Sequence, residues 1–225
     1  PSANDYLNYL RDKKSAKKSK LIFVDEKMRR LSVLINQIAD TDVPVLITGE
    51  SGTGKEVIAQ SIHEASNRTS RPFVAVNCAA LPPTLLESEL FGFEKGSFTG
   101  AHQRHAGKFE QANGGTLLLD EVTEIEIAVQ AKLLRAIQER EVERIGGRGP
   151  IAVNTRIVAT TNRDIASLVA QGKFRQDLYY RLHVIQLDVP ALRDRQSDIA
   201  VLTDHFLAEF AQRYNRPQLE ISLEA

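Results

Sequence analysis

The segment Gly49-Glu50-Ser51-Gly52-Thr53-Gly54-Lys55 constrains the fold of this chain more than any other. Gly52 and Gly54 let the backbone turn so that successive N–H groups point inward, as a polyphosphate requires. The apolar run Val45-Leu46-Ile47 precedes the segment, and a stretch with Ile58, Ile62 and Ala65 at helical spacing follows it. Strand, loop, helix is the setting in which Gly-x-x-x-x-Gly-Lys acts as a phosphate-binding loop; a plain glycine turn before a helix fits these flanks less well. The helix starting near Lys55 adds its positive N-terminal end, and Lys55 adds a full charge toward the outer phosphates. The nucleotide-binding set is therefore Gly49, Glu50, Ser51, Gly52, Thr53, Gly54, Lys55 and Glu56. Glu56 departs from the general pattern, which places a Ser or Thr hydroxyl there for magnesium. The phosphate cradle stands, while the metal's loop ligand is left open.

The rest of the chain supplies the other strands of such a fold. Val43–Thr48, Phe73–Asn77, Thr116–Asp120, Arg156–Thr161 and Val184–Asp188 are candidate buried strands. Amphipathic stretches lie between them, among them Val129–Gln138 with Val129, Leu133, Ala136 and Ile137 at helical spacing. Strands alternating with helices imply an α/β fold, a parallel sheet sandwiched by helices. After Pro190 the strand pattern stops. Ser197–Tyr214 reads as one amphipathic helix, capped by Ser197 and with Ile199, Leu202, Phe206 and Phe210 on one face. Three regions result: a basic linker over 1–20, an α/β unit over 21–190, and the opening of a helical lid over 191–225.

Composition narrows the function classes. Hydrophobic residues make up 42%, ample for a core, and the 29 basic residues equal the 29 acidic ones. A domain devoted to gripping nucleic acid would show a basic surplus. The lysines and arginine within 1–20 read as a solvated linker, in preference to a nucleic-acid arm. One cysteine, Cys78, excludes an internal disulfide and suits a reducing, cytoplasmic setting. No apolar run is long enough to span a membrane. Cys78 has no histidine placed to activate it, and His102 and His105 lack the further ligands a zinc site needs. Leu133, Leu134 and Ile137 are core residues.

Gly114–Glu121 is an apolar strand ending in two acids. In phosphate-loop hydrolases Asp120 would sit beside Mg2+, directly or through water, and Glu121 would orient and deprotonate the attacking water. Both tasks need a carboxylate at a strand's C-terminal end, where ligands gather in open parallel sheets. The fuel expected is ATP.

Several further strings carry a resemblance. Gly49–Glu56, Asn77-Cys78-Ala79-Ala80-Leu81, Glu94–Ala101, Gln130–Arg135, Ala159-Thr160-Thr161-Asn162 and Phe174–Leu182 together resemble the central AAA+ ATPase domain of bacterial enhancer-binding proteins. These are the sigma-54-dependent transcriptional activators typified by NtrC. The similarity runs in order from Leu21 to the end, and within the family it leans toward flagellar regulators of the FlrC type.

The resemblance implies roles that spacing does not supply. Gly96, Ser97, Phe98, Thr99, Gly100 and Ala101 match a surface loop that touches sigma-54, with Ser97 replacing the usual Ala. From the residues alone, Phe98 with Phe91 and Phe93 nearby suggests an exposed apolar contact point, and a Phe tucked into its own domain is the alternative. Asn77 matches a switch residue that holds the catalytic glutamate in an inactive pose, although an Asn at a strand end also commonly caps a turn. Thr161 and Asn162 match a sensor of the outer phosphate, and Glu143–Pro150 matches a second loop that moves with the first. Arg175 and Arg181 match arginines that reach a neighbouring subunit's site, where the ordinary alternative is surface ion pairing. Six residues along a helix correspond to roughly 240°, so the two cannot project together.

The implied protein is an ATPase that forms a hexameric or heptameric ring and remodels sigma-54 RNA polymerase. It would contact DNA mainly through a domain absent from this chain. A nucleotide-gated binding module with little turnover is the rival from another class, and another AAA+ remodeller is a third reading.

Overall fold

In the computed structural model residues 21–215 are described, so the linker expected over 1–20 lies outside the described residues. The elements in chain order are α1 (Glu26–Ile38), β1 (Val45–Thr48), α2 (Lys55–Ala65), β2 (Phe73–Asn77), α3 (Pro83–Phe91), β3 (Gly92–Phe93), β4 (His105–Ala106) and α4 (Lys108–Gln111). There follow β5 (Thr116–Asp120), α5 (Ile127–Glu139), β6 (Glu141–Val142), β7 (Ile151–Ala152), β8 (Arg156–Thr161), α6 (Ile165–Ala170), α7 (Gln176–Leu182), β9 (Ile185–Asp188) and α8 (Ser197–Arg213).

The expected strands form one parallel five-stranded sheet in the order β2-β5-β8-β1-β9. The first begins at Val45 rather than Val43, because Pro44 has no N–H to offer a ladder. β8 is buried along its whole length and β5 nearly so, as strands covered on both faces must be. Alternate residues feed two cores. Leu46, Val76, Leu117, Leu119, Ile157 and Ala159 pack with residues of α3 to α7. Val45, Ile47, Leu118, Val158 and Leu187 pack with α1 and α2. Each fully buried leucine of β5 contributes about 2 kcal/mol relative to exposure.

Two buried arginines fasten the opposite end of the sheet. The Arg156 guanidinium donates to the Ile38 and Ala39 carbonyls, capping an α1 terminus that has no basic residue of its own. Arg68 donates to Asp42, to the Gly115 carbonyl and to Asn154. These contacts fix the strand starts, leaving the strand C-terminal ends as the open, ligand-facing edge.

Three expectations about faces are corrected. Ala65 is exposed: α2 turns Ile58, Ala59, Ile62 and His63 inward and ends at Ala65. Ser197 is the first residue of α8 rather than its cap, and its hydroxyl donates to Asp25 Oδ2 at 3.0 Å. Gln196 holds the cap position and makes no side-chain cap bond. The apolar face of α8 is not buried, since Ile199, Phe206 and Phe210 are all exposed. The helix is fastened instead by its first turn. Asp198, wholly buried, accepts the Val24 and Asp25 N–H groups at 2.6 and 2.8 Å, and no described element covers the stripe beyond.

Candidate functional site at the strand ends

The loop between β1 and α2 has the backbone its glycines were expected to supply. Gly52 and Gly54 sit at φ 80° and 95°, where a side chain would be strained. A Cβ on Gly49 would stand 2.7 Å from the Val189 carbonyl, so this close crossing admits only glycine. The Lys55 side chain is buried and curls back, its Nζ donating to the Gly49 and Glu50 carbonyls at 2.9 and 3.1 Å. Glu56 is exposed on the first turn of α2.

Sheet order brings the acids to this loop. β8 lies between β5 and β1, so its last residues bridge the acid pair and the phosphate loop. Thr160 Oγ1 donates to Asp120 Oδ1 at 2.6 Å and accepts the Glu121 N–H at 3.1 Å. Glu121 adopts a left-handed backbone (φ 53°, ψ 53°), an arrangement that costs a non-glycine residue about 1 kcal/mol. That turn sends its carboxylate toward the loop. Glu121 Oε2 accepts the Asn162 N–H at 3.1 Å, and Oε1 lies 3.5 Å from Lys55 Nζ. The Thr161 carbonyl accepts the Gly49 N–H at 3.3 Å, closing the circuit.

Asn77 touches Asp120, not Glu121: its Nδ2 donates to Asp120 Oδ2 at 3.0 Å. Its Oδ1 accepts the Ala79 and Ala80 N–H groups, so it also makes the turn cap that an Asn at a strand end commonly makes. The buried Thr161 hydroxyl pairs with Thr123 and the Arg163 N–H, and the Asn162 side chain is exposed. Cys78 is buried, and burial with the nearby Asp120 and Glu121 charges pushes its thiol up to about 12. It is inert packing rather than a nucleophile.

The donor set suits Mg2+. Each Asp120 oxygen accepts one hydrogen bond and keeps a lone pair for a hard cation. Among the described residues no group of three or more His, Cys, Asp or Glu is placed to hold a metal. One or two carboxylates plus phosphate oxygens and water is how magnesium is ordinarily held.

The Gly96–Ala101 segment lies elsewhere, at the tip of an arm whose base is the antiparallel pair β3–β4. The turn closes on itself through Gly96 N–H to the Ala101 carbonyl and Ser97 Oγ to the Glu94 carbonyl. Thr99 is exposed and Phe98 is 45% exposed, its ring edge-on to Phe93 at 4.9 Å. Phe91 does not join that apolar point; it is buried and stacks on Phe109. The arm's base is tied to the second loop by paired bonds between Gly92, Glu94 and Ile145. Buried Arg144 binds Glu94 at 2.6 Å and grips Glu110 with its other nitrogens.

Arg175 stands at the N-cap of α7 and Arg181 inside that helix, so only one of the two is helical. Buried Gln130 receives the Arg175 N–H and donates to the Ile125 and Lys173 carbonyls. The Arg175 guanidinium pairs with Asp177, the contact that the surface-pairing alternative predicts. Sequence reading missed Thr160, Arg144, Arg193 and Arg195. Thr160 stood inside a quoted run, but only the sheet order reveals what it faces. Arg193 pairs with Glu50 and Arg195 reaches Thr53, both from a non-periodic stretch that carries no pattern.

Comparison with known proteins identifies the family. Residues 21–188 match the model of the sigma-54 interaction domain. The chain is 52% identical to the transcriptional regulatory protein FlbD of Caulobacter vibrioides over 91% of its length, and 57% identical to the regulatory protein AtoC of Escherichia coli over 82%. It spans 45% and 40% of those proteins. NtrX from Brucella abortus in complex with ATP superposes with a TM-score of 0.81 at 35% identity, covering 93% of this chain and 45% of that one. A loop, an acid pair and a sheet order that meet in one place, together with these matches, put the chain in the sigma-54 interaction domain family of AAA+ phosphate-loop ATPases.

Proposed function

We propose that this chain hydrolyses ATP and couples the reaction to remodelling of sigma-54 RNA polymerase, as the motor of a transcriptional activator. The observation that carries the chemistry is the convergence of Lys55, Asp120, Glu121 and the end of β8 on one sheet edge. Lys55 faces the outer phosphates, and the inward N–H groups of residues 49–56 hold the polyphosphate. Glu121 orients water and accepts its proton. Asp120, held by Thr160 and Asn77, presents its free lone pairs to the metal. A magnesium ion held there would supply neutralisation of phosphate charge.

Thr161 and Asn162 report the state of the outer phosphate. Asn77 links that report to the arm, because the chain runs from Asn77 through α3 directly into β3. Arg175 and Arg181 act across a subunit boundary in a hexameric or heptameric ring, one touching phosphate and the other shaping the interface. Residues 191–225 are the beginning of a helical lid subdomain, of which 216–225 lie outside the described residues. The protein works in the cytoplasm, and among the described residues no helix is long and apolar enough to cross a membrane.

Replacing Glu121 with Gln tests the enzymatic half. ATP binding should persist while turnover falls at least about a hundredfold, the usual scale for a lost general base. Unchanged turnover would remove Glu121 from its role, and low turnover in the unaltered chain would favour the nucleotide-gated module.

A further inference from the structure

A phosphate loop works by pointing its N–H groups inward, and a trans peptide sends the preceding carbonyl the opposite way. Every outward carbonyl must therefore find a partner. Here the Gly49 and Glu50 carbonyls take Lys55 Nζ, and the Gly54 carbonyl takes the Ile58 N–H. The Thr53 carbonyl finds its partner outside its own loop and helix. Its partner is Arg195 Nη2 at 2.8 Å, from a residue 142 positions later.

Thr53 itself is buried, with its hydroxyl and N–H both turned to the Glu50 carbonyl, and glycines stand on either side of it. Thr53 is followed by Gly54 at φ 95° and preceded by Gly52 at φ 80°, and no atom lies within 4 Å of where a Cβ would stand on either glycine. Glycines that permit the inward turn also permit its reversal, since they carry no Cβ to disfavour either backbone conformation. Fixing the Thr53 oxygen outward fixes the Gly54 N–H inward, because both belong to one planar unit.

Arg195 is itself a fixture. It is 7% exposed, follows the short turn Leu192–Asp194, and has Asp198 as its counter-charge, 3.8 Å from Nη1. Asp198 is wholly buried and is held in turn by the Val24 and Asp25 N–H groups. Arg193, two residues earlier, pairs with Glu50 on the outside of the same loop, and its hydrogen bonds hold the Glu50 carboxyl below its usual range. The charge pair Arg195–Asp198 thus spans from the entry of α1 to the apex of the phosphate loop.

We infer that Arg195 is a positioning residue of the nucleotide site: it holds the Thr53 carbonyl outward so that the Gly54 N–H faces the phosphates, and Asp198 holds Arg195. This rests on reading the loop as the nucleotide site, and the experiment separates the two. The probe is N-methylanthraniloyl-ADP, titrated into the whole chain. Binding by the unaltered chain tests the site; its failure would count against that reading rather than against Arg195.

The informative variant is the double change Arg195→Met with Asp198→Asn, which removes both buried charges together and leaves neither stranded. Its affinity for the probe should fall about tenfold, the scale of one charge-assisted hydrogen bond, and KM for ATP should rise in parallel. Turnover at saturation should stay within about threefold, because Glu121 and Asp120 are untouched. Arg195→Lys, which keeps a donor and a charge, should recover most of the affinity. Arg68→Ala loosens the opposite end of the sheet and should lower the melting temperature without moving probe affinity. Equal affinity in the double variant, or an equal loss in Arg68→Ala, would overturn the inference.

Discussion

The strand-end site and the arm that carries Gly96–Ala101 are built on opposite terms. At the strand ends Asp120 closes a strand buried along most of its length and Glu121 follows it in a turn, and their oxygens are held by residues from neighbouring elements. Asp120 is gripped by Thr160 and Asn77, while Glu121 is fixed by Asn162, by Lys55 and by its own unusual backbone. The arm rests on a two-residue ladder, closes through its own backbone, and leaves Phe98 and Thr99 to solvent. Under the proposed function, rigid placement would serve transition-state chemistry and the exposed loop a contact that changes position. Two courses of chain join them, Asn77 through α3 to β3 on the way out and β4 through α4 to β5 on the way back, with Arg144 anchoring the arm's base.

Breaking that anchor should give the larger change in stability. Arg144→Ala strands the Glu94 and Glu110 carboxylates against each other and should destabilise the chain by about 3 kcal/mol, measured by urea unfolding. Glu110 is held below its ordinary range chiefly by the Arg144 hydrogen bonds, so this cost should shrink as pH falls and the Glu110 carboxyl protonates. Nucleotide affinity should change far less, because no Arg144 contact reaches the strand ends. An equal loss of nucleotide binding would mean that the regions are not separate units.

A smaller effect sharpens the other side. His63 on the phosphate-loop helix is buried, pairs with Thr116 Oγ1 at 3.0 Å, and lies against Phe73. Burial lowers its pKa, so the folded chain favours the neutral ring while the unfolded chain protonates near 6.5. Its contribution is complete above that pH and is lost as pH falls through the lower folded value. Thermal melts should show this slope just below neutrality, and His63→Gln should flatten it.

The sheet was legible in the sequence because strands covered on both faces read as unbroken apolar runs, and Thr116–Asp120 and Arg156–Thr161 were readable as such. The phosphate loop was legible because glycine spacing and flanking elements coincide. Thr160 was not, because its role depends on β8 lying between β5 and β1, a fact of strand order. Arg195 and Asp198 were not, because their contacts span 142 to 174 positions and lie outside any repeat. The face of α8 misled, since an apolar stripe specifies that something should cover it but not which segment does. Phe91 misled for a related reason: adjacency in sequence placed it with Phe93, while helix geometry turned it into the core.

Thr99 is where the contrast between rigid site and exposed arm can be tested most directly. Thr99→Ala removes a hydroxyl and a methyl from an exposed turn and leaves every strand-end contact in place. ATP turnover and sigma-54 association should be measured on the same preparation, with a transition-state nucleotide analogue present for the binding assay. Turnover equal to that of the unaltered chain, together with lost sigma-54 association, is the expected result. Association that survives the change, or turnover that falls with it, would contradict a division between a chemical end and a contacting arm.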